Sequence, residues 1–125
     1  LRPQRIGHGT RSSEDPALVG HLRREGIHLE LCPSSNVQII PSVQEWADHP
    51  IDRLYRAGVK LNANTDSRML TPVTLSGEYE GLRQVFGWGA GEFLATNLMA
   101  VEAAFVGEPV KAGLRERLRA GYKAD

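Results

Sequence analysis

The 125-residue sequence has almost no cysteine, no excess charge of either sign and no long apolar run. Its single cysteine, Cys32, excludes an internal disulfide framework and is typical of a reducing compartment, so we expect a cytoplasmic location. Fifteen basic and fifteen acidic residues give a formal net charge of zero, which gives no indication of nucleic acid or an anionic membrane as a partner. No apolar run approaches the ~20 residues of a membrane-spanning helix. These absences leave an ordinary globular domain.

The start of the sequence, Leu1-Arg-Pro-Gln, lacks both an initiator methionine and the features of a signal peptide. The length suffices for one domain with its own core but falls well short of the ~250 residues of a complete (β/α)8 barrel. We therefore expect the chain to be a piece of a longer protein.

Two strand patterns end on residues that can take part in chemistry. Between Val59 and Asp66 apolar and polar residues alternate with the period of a half-buried strand, and Asp66 falls where the strand gives way to a loop. The run from Arg5 to Thr10 places His8 between two glycines at another strand end. In parallel α/β barrels this end of the strands carries the catalytic and metal-binding side chains. His8 and Asp66 are therefore candidate active-site residues.

Strands and helices alternate in the first half of the chain. A capping residue and a proline within Ser13–Pro16 predict a helix that ends at Gly26, and His49-Pro50 opens a second short helix that ends at Gly58. Between them, Ser34-Ser35-Asn36 is expected to form a turn. Short helices between similar strands favour parallel pairing in sequence order, with His8 and Asp66 at the same edge. The predicted strands are 4–9, 27–32 and 59–65.

The second half of the chain is predicted to be helical, over Leu75 to Phe86, Gly91 to Val106 and Pro109 to about Tyr122. Apolar residues at helical spacing in the middle helix predict a core-facing stripe, formed by Phe93, Leu94, Leu98, Val101 and Phe105. Three strands cannot close a barrel. The expected fold is α/β, a partial (β/α)8 TIM barrel with its last three strands followed by C-terminal helices, and we expect its uncovered barrel face to be apolar.

Several short stretches together resemble the C-terminal part of the adenosine deaminases: Arg5-Ile-Gly-His-Gly9, Leu29-Glu-Leu-Cys-Pro-Ser-Ser-Asn-Val37, His49-Pro50, Asn64-Thr-Asp66 and Glu78-Tyr79. They occur in the family's order and at plausible spacing. The resemblance implies that residues 1–125 are the C-terminal portion of an adenosine deaminase-like barrel domain. It also implies an enzyme that uses Zn2+ to hydrolyse the 6-amino group of adenosine, or of a related purine nucleoside, which gives inosine and ammonia.

The resemblance assigns a role to each candidate. Asp66 matches the family's aspartate ligand to zinc, and His8 matches the histidine that faces the attacking water and helps to activate it. Zinc lowers the pKa of water to about 7. An imidazole beside it can take a proton or stabilise the charge that develops on the attacking oxygen. The glycines around His8 would let the backbone pass close to the substrate.

Two departures from the family leave alternatives open. Ser67 stands where the family usually has a second aspartate that binds the purine, so Ser67 is the candidate substrate-binding residue and the purine specificity is open. The family's His-x-His pair and His-Ala-Gly-Glu segment have no counterpart in the sequence. The alternatives are another metal-dependent aminohydrolase of the same barrel family, or a non-catalytic truncated fragment. By itself the chain is expected to be inactive and aggregation-prone or partly folded, and its oligomeric state is open.

The remaining polar residues of these stretches have simpler explanations. Cys32 is expected to be a small buried apolar residue, and His49 is expected to position a helix start. Ser35 and Asn36 either form a turn or support the floor of the site through hydrogen bonds. The two other histidines, His21 and His28, are expected to be structural or exposed.

Overall fold

The computed structural model describes residues 2–123, and a three-stranded parallel sheet lies at their centre. The strands are β1 (Arg5–Gly7), β2 (His28–Leu31) and β3 (Leu61–Ala63), in the order β1-β2-β3. Arg5 pairs with His28, and Leu29 pairs with Leu61. The predicted parallel arrangement in sequence order is confirmed, although each strand is shorter than its predicted range.

Helices connect the strands on the way from one parallel neighbour to the next. In α1 (Pro16–Glu25) the Asp15 carboxylate accepts hydrogen bonds from the backbone N–H groups of Ala17 and Leu18, and Gly26 ends the helix with a left-handed φ of 66°. The second predicted helix is α3 (Ile51–Arg56), with Ile51 and Leu54 buried. Both helix predictions are confirmed.

The expected turn at Ser34-Ser35-Asn36 is wrong, because these residues belong to α2 (Pro33–Ile39). Serine and asparagine favour turns when only local interactions act. Here Pro33 occupies the first helical position, where its missing N–H costs nothing. The buried side chains of Ser35 and Asn36 are bonded to other parts of the fold. Tertiary hydrogen bonds thus stabilise a helix that the local sequence does not favour.

Helices also follow β3: α4 (Leu75–Phe86), α5 (Ala90–Ala103) and α6 (Glu108–Gly121). The first matches its predicted range, whereas α5 ends before Val106 because Gly107 and Pro109 begin α6. Phe105 is therefore outside the helix and 70% exposed, with the guanidinium carbon of Arg5 at 3.9 Å from its ring centre. Its prediction as a core residue is wrong, whereas Val101 is buried and Phe93 packs against the core.

No helix within residues 2–123 has both the length and the apolar character needed to cross a membrane.

The two faces of the sheet differ in chemistry. Leu29, Leu31 and Leu61 are fully buried on one face, where they belong to a core that includes Leu22, Leu54, Leu82 and Trp88. Alternate residues point to the other face. There Arg5 forms an ion pair with Glu30 at 3.4 Å, and His28 bonds to Asn62 at 2.7 Å. The face that was expected to be apolar and uncovered is therefore polar, because the alternate positions of these strands carry charged and amide side chains.

Candidate active site at the carboxyl ends of the strands

His8 and Asp66 meet at the carboxyl end of the sheet. His8 Nε2 lies 3.6 Å from Asp66 Oδ2, and each side chain is about one-third exposed. His8 follows β1 directly, and its N–H still donates to Glu30 in β2, while Asp66 lies in the loop after β3. The prediction that both residues stand at the same edge is confirmed. Parallel strands bring residues that are 58 positions apart into one site.

Both residues have an unusual backbone conformation. His8 has a φ of 56° and Asp66 a φ of 59°, and they are the two non-glycine residues between positions 2 and 123 with a positive φ. This conformation is costly for residues with a side chain, and it persists where surrounding contacts enforce it, often at functional sites. Gly9 has a φ of 70°, and a Cβ atom there would lie 2.8 Å from Leu29 Cδ2. Only glycine fits after His8.

Helix α2 supplies the groups that hold both side chains. The Ser35 hydroxyl donates to Asp66 Oδ2 at 2.6 Å, and Asn36 Nδ2 lies 2.9 Å from His8 Nδ1. The Ser35 hydrogen bond lowers the pKa of the Asp66 carboxyl, so the carboxylate remains anionic. Of the two explanations for Ser35 and Asn36, hydrogen bonding that supports the site is the one observed.

A second row of polar groups stands behind Asn36. Thr10 Oγ1 donates to Asn36 Oδ1 at 2.8 Å, and His49 Nε2 lies 3.0 Å from the same oxygen. His49 Nδ1 accepts the backbone N–H of Ile51 at 3.2 Å, which confirms that His49 positions the start of α3. Burial lowers the pKa of His49 to about 4. Sequence reasoning missed Thr10, which directly follows one of the stretches that carry the resemblance, and the contact between His49 and Asn36, which lie within them.

Cys32 completes a group of metal-binding side chain types. The Cys32 sulfur, a His8 ring nitrogen and an Asp66 oxygen lie within 4.8 Å of one another. Burial raises the pKa of the Cys32 thiol to about 12, so the sulfur is protonated, and it lies 3.6 Å from the Glu30 carbonyl. Cys32 is 5% exposed, which agrees with its expected role as a small buried residue. The anionic Asp66 fits one position of a zinc site, for which about three protein ligands are needed.

Ser67 lies immediately beyond Asp66 on the loop between β3 and α4. Its carbonyl accepts the backbone N–H groups of Leu70 and Thr71 at 3.1 and 2.9 Å, and this turn leaves the Ser67 side chain exposed. The following Met69 and Leu70 are also exposed. The side chain of Ser67 is therefore accessible to solvent.

Glu78 is a buried carboxyl group that sequence reasoning mentioned only as part of a motif. It lies in the first turn of α4 and accepts the backbone N–H of Ser34 in α2 at 3.2 Å. Its Oε1 atom is buried with no hydrogen-bond partner among the described residues. Burial raises the pKa of the carboxyl. Glu78 thus connects α4 with the start of the helix that holds His8 and Asp66.

The three parallel strands and the similarity to solved TIM-barrel proteins define the chain as part of a TIM-barrel protein, with a carboxylate and an imidazole at the carboxyl ends of its strands. The family model for adenosine deaminase matches residues 1–121. The chain therefore belongs to the adenosine deaminase family.

Individual relatives support the same assignment. Adenosine deaminase from Lacticaseibacillus casei is 41% identical over 118 residues, which cover 94% of this chain and 34% of that protein. The crystal structure of adenine deaminase from Arthrobacter aurescens is similar with a TM-score of 0.90 and 28% identity, covering 96% of this chain and 36% of that one. An amidohydrolase from Burkholderia ambifaria with bound Zn is similar with a TM-score of 0.78 and 25% identity, covering 98% and 36%. The chain spans about a third of the length of the relatives it matches.

Proposed function

We propose that residues 1–125 are the C-terminal portion of the barrel domain of a zinc-dependent aminohydrolase, which converts adenosine or a related purine nucleoside to inosine and ammonia. The observation that carries the proposal is the approach of His8 Nε2 to within 3.6 Å of Asp66 Oδ2 at the carboxyl edge of the sheet. Membership of the adenosine deaminase family supports it.

Asp66 is the residue of this chain that would hold the zinc ion. Its carboxylate is anionic, and Ser35 orients it. When bound, zinc supplies a Lewis acid that lowers the pKa of water to about 7. The other ligands would come from the His-x-His and His-Ala-Gly-Glu segments, which the resemblance assigns to parts of the protein outside this chain. The zinc bound to the Burkholderia ambifaria amidohydrolase supports this choice of metal.

The side chains of this chain position the reacting groups. Deamination forms a bond between a water oxygen and the ring carbon that bears the amino group, and it breaks the bond from that carbon to nitrogen. One water proton leaves with ammonia and the other stays on the ring. In this proposal His8 Nε2, which lies 3.6 Å from Asp66 Oδ2, holds a hydrogen bond at the attacking oxygen.

Ser67 is proposed to bind the purine ring through its exposed hydroxyl. A hydroxyl can donate a hydrogen bond to a ring nitrogen without carrying charge. Serine in place of the family's usual aspartate, together with the similarity to an adenine deaminase, favours free adenine as the second candidate substrate. Other heterocyclic amines form the remaining alternative.

The test uses the complete protein that contains this chain. Its sequence upstream of Leu1 is expected to hold the His-x-His and His-Ala-Gly-Glu segments, and the purified protein is expected to convert adenosine in an ultraviolet assay with zinc present. Adenine and other aminopurines are compared at equal concentration, with Asp66→Asn as the inactive control. Absence of those segments would favour the non-catalytic alternative, whereas their presence with no conversion of any aminopurine would favour an aminohydrolase that acts on another heterocyclic amine.

A further inference from the structure

The donor and acceptor of each hydrogen bond behind the site can be assigned, because one of these bonds involves a backbone N–H group, which is always a donor. The N–H of Ile51 can only donate, and it points at His49 Nδ1 at 3.2 Å. Nδ1 of His49 is therefore the acceptor and carries no proton. His49 is 2% exposed and uncharged at neutral pH, so its single ring proton resides on Nε2.

The proton on His49 Nε2 determines the orientation of the Asn36 amide. His49 Nε2 lies 3.0 Å from Asn36 Oδ1, and the Thr10 hydroxyl donates to the same oxygen at 2.8 Å. The reversed amide would place its NH2 group against the N–H of His49, with two donors facing each other. Asn36 is fully buried, so solvent cannot supply hydrogen bonds to two donors that face each other. The Nδ2 group of Asn36 must therefore face His8.

The orientation of the Asn36 amide determines which ring nitrogen of His8 carries the proton. Asn36 Nδ2 donates to His8 Nδ1 at 2.9 Å, so this ring nitrogen is an acceptor. We infer that Asn36, oriented by His49 and Thr10, is a positioning residue that holds His8 in the tautomer with its proton on Nε2. His8 then presents a hydrogen-bond donor to the site, beside Asp66 Oδ2.

The proton on Nε2 limits the chemical roles that His8 can take. An imidazole whose proton is on Nε2 has no free lone pair at that nitrogen, so Nε2 of His8 cannot accept the proton of the attacking water. His8 therefore acts by donating a hydrogen bond to the oxygen on which negative charge develops, rather than as the base that removes the proton of water. The catalytic part of the inference rests on the proposed function, whereas the tautomer does not.

The tautomer is measured on the complete protein with 15N-labelled histidine, by two-bond proton–nitrogen correlation spectra with His8 assigned from a His8→Gln variant. We expect the unprotonated nitrogen to be Nδ1. In Asn36→Asp a carboxylate faces His8 Nδ1 and accepts a hydrogen bond from a proton on that nitrogen, so the protonated position should move from Nε2 to Nδ1. Asn97→Asp is the matched control, because Asn97 lies in α5 and bonds to Tyr79 and Tyr122. A proton on Nδ1 in the unsubstituted protein would overturn the inference.

A second pair of variants covers the case in which Asn36→Asp does not fold. His49→Gln retains an N–H donor that can reach Asn36 Oδ1, and His49→Leu removes it. The first should keep the single Nε2–H tautomer of His8, and the second should give a mixture of the two tautomers. The same tautomer ratio in both would contradict the proposed role of His49.

The turnover number kcat should depend on the tautomer of His8. Reversal of the His8 tautomer in Asn36→Asp should lower kcat by about 10² to 10³ with little change in KM, the range seen when one hydrogen-bond donor to a developing negative charge is lost. Full kcat with the tautomer reversed would overturn the donor role. Failure of the proposed function is distinguishable, since it leaves the unsubstituted protein inactive while the spectra still report the tautomer.

Discussion

Ser35 Oγ lies 2.6 Å from Asp66 Oδ2, and this hydrogen bond joins the helix after β2 to the loop after β3. The next residue in the helix, Asn36, holds His8 after β1. One seven-residue helix thus aligns groups from both neighbouring strands. The position of α2 therefore determines the distance between His8 and Asp66, and changes in this helix should affect both.

Substitution of Asp66 and of His8 should have separable effects in the complete protein. Asp66→Ala removes a metal ligand, so we expect loss of bound zinc and of activity together. His8→Ala should keep most of the zinc and lower turnover by at least ~10²-fold, the usual scale for loss of a hydrogen-bond donor to the charge that develops in the transition state. Metal analysis and rate measurements on both variants decide this. Equal loss of zinc in the two would show that the roles are wrongly assigned.

Ser35→Ala tests the support of Asp66. Loss of the hydroxyl removes the hydrogen bond that lowers the pKa of the Asp66 carboxyl and orients it. We expect zinc affinity to fall by about 10- to 100-fold, as for other groups that orient metal ligands. Competition with a chelator measures this. Ser76→Ala, on the exposed first turn of α4, is the control and should leave the affinity unchanged.

Gly9→Ala should destabilise the protein, because its Cβ would lie 2.8 Å from Leu29 Cδ2 and its φ is 70°. The left-handed conformation alone costs roughly 1–2 kcal/mol for a residue with a side chain. Gly7→Ala is a matched control in the same stretch, since a Cβ there meets nothing within 4 Å. Thermal unfolding of the complete protein compares them. A Gly7→Ala variant that unfolds at or below the temperature of Gly9→Ala would contradict the geometry.

Part of this site could be predicted from the sequence and part could not. His8 and Asp66 were predictable because parallel strands bring their carboxyl ends to one edge, so position along each strand was sufficient information. The helix α2 was not, since Ser34, Ser35 and Asn36 favour a turn until the folded protein supplies their partners. The bond from Thr10 to Asn36 spans 26 residues. No local pattern specifies such a contact.

The buried carboxyl of Glu78 should make stability depend on pH. Burial raises its pKa above the ordinary 4.5, so the folded state binds the proton more tightly than the unfolded state. The stabilising contribution is complete below the ordinary pKa and is lost as the pH rises through the raised value. Glu78→Gln keeps an acceptor for the Ser34 N–H but does not ionise. We therefore expect the variant to gain stability relative to the unsubstituted protein between pH 4 and pH 8.

Urea unfolding of the complete protein at several pH values measures this difference. Glu80→Gln is the control, because Glu80 is exposed and Arg83 and Gln84 lower the pKa of its carboxyl to about 2. The lowered pKa of Glu80 stabilises the folded state at higher pH, and this stabilisation is lost as the pH falls. Relative to the unsubstituted protein, Glu80→Gln should therefore not gain stability as the pH rises. A Glu78→Gln curve parallel to that of the unsubstituted protein would show that Glu78 does not titrate differently in the folded state.

The 125-residue chain by itself should lack deaminase activity and associate in solution. In the three-stranded sheet β1 and β3 are edge strands, and exposed edges favour pairing with other chains. Met69, Leu70 and Phe105 expose 96%, 83% and 70% of their surface, which adds apolar contacts between molecules. The polar second face of the sheet limits this association.

An ultraviolet assay of the 125-residue chain with adenosine and added zinc should show no conversion, and sedimentation should show species larger than the monomer. Turnover by a stable monomer would mean that the ligands which we assign to the rest of the protein are supplied from within this chain.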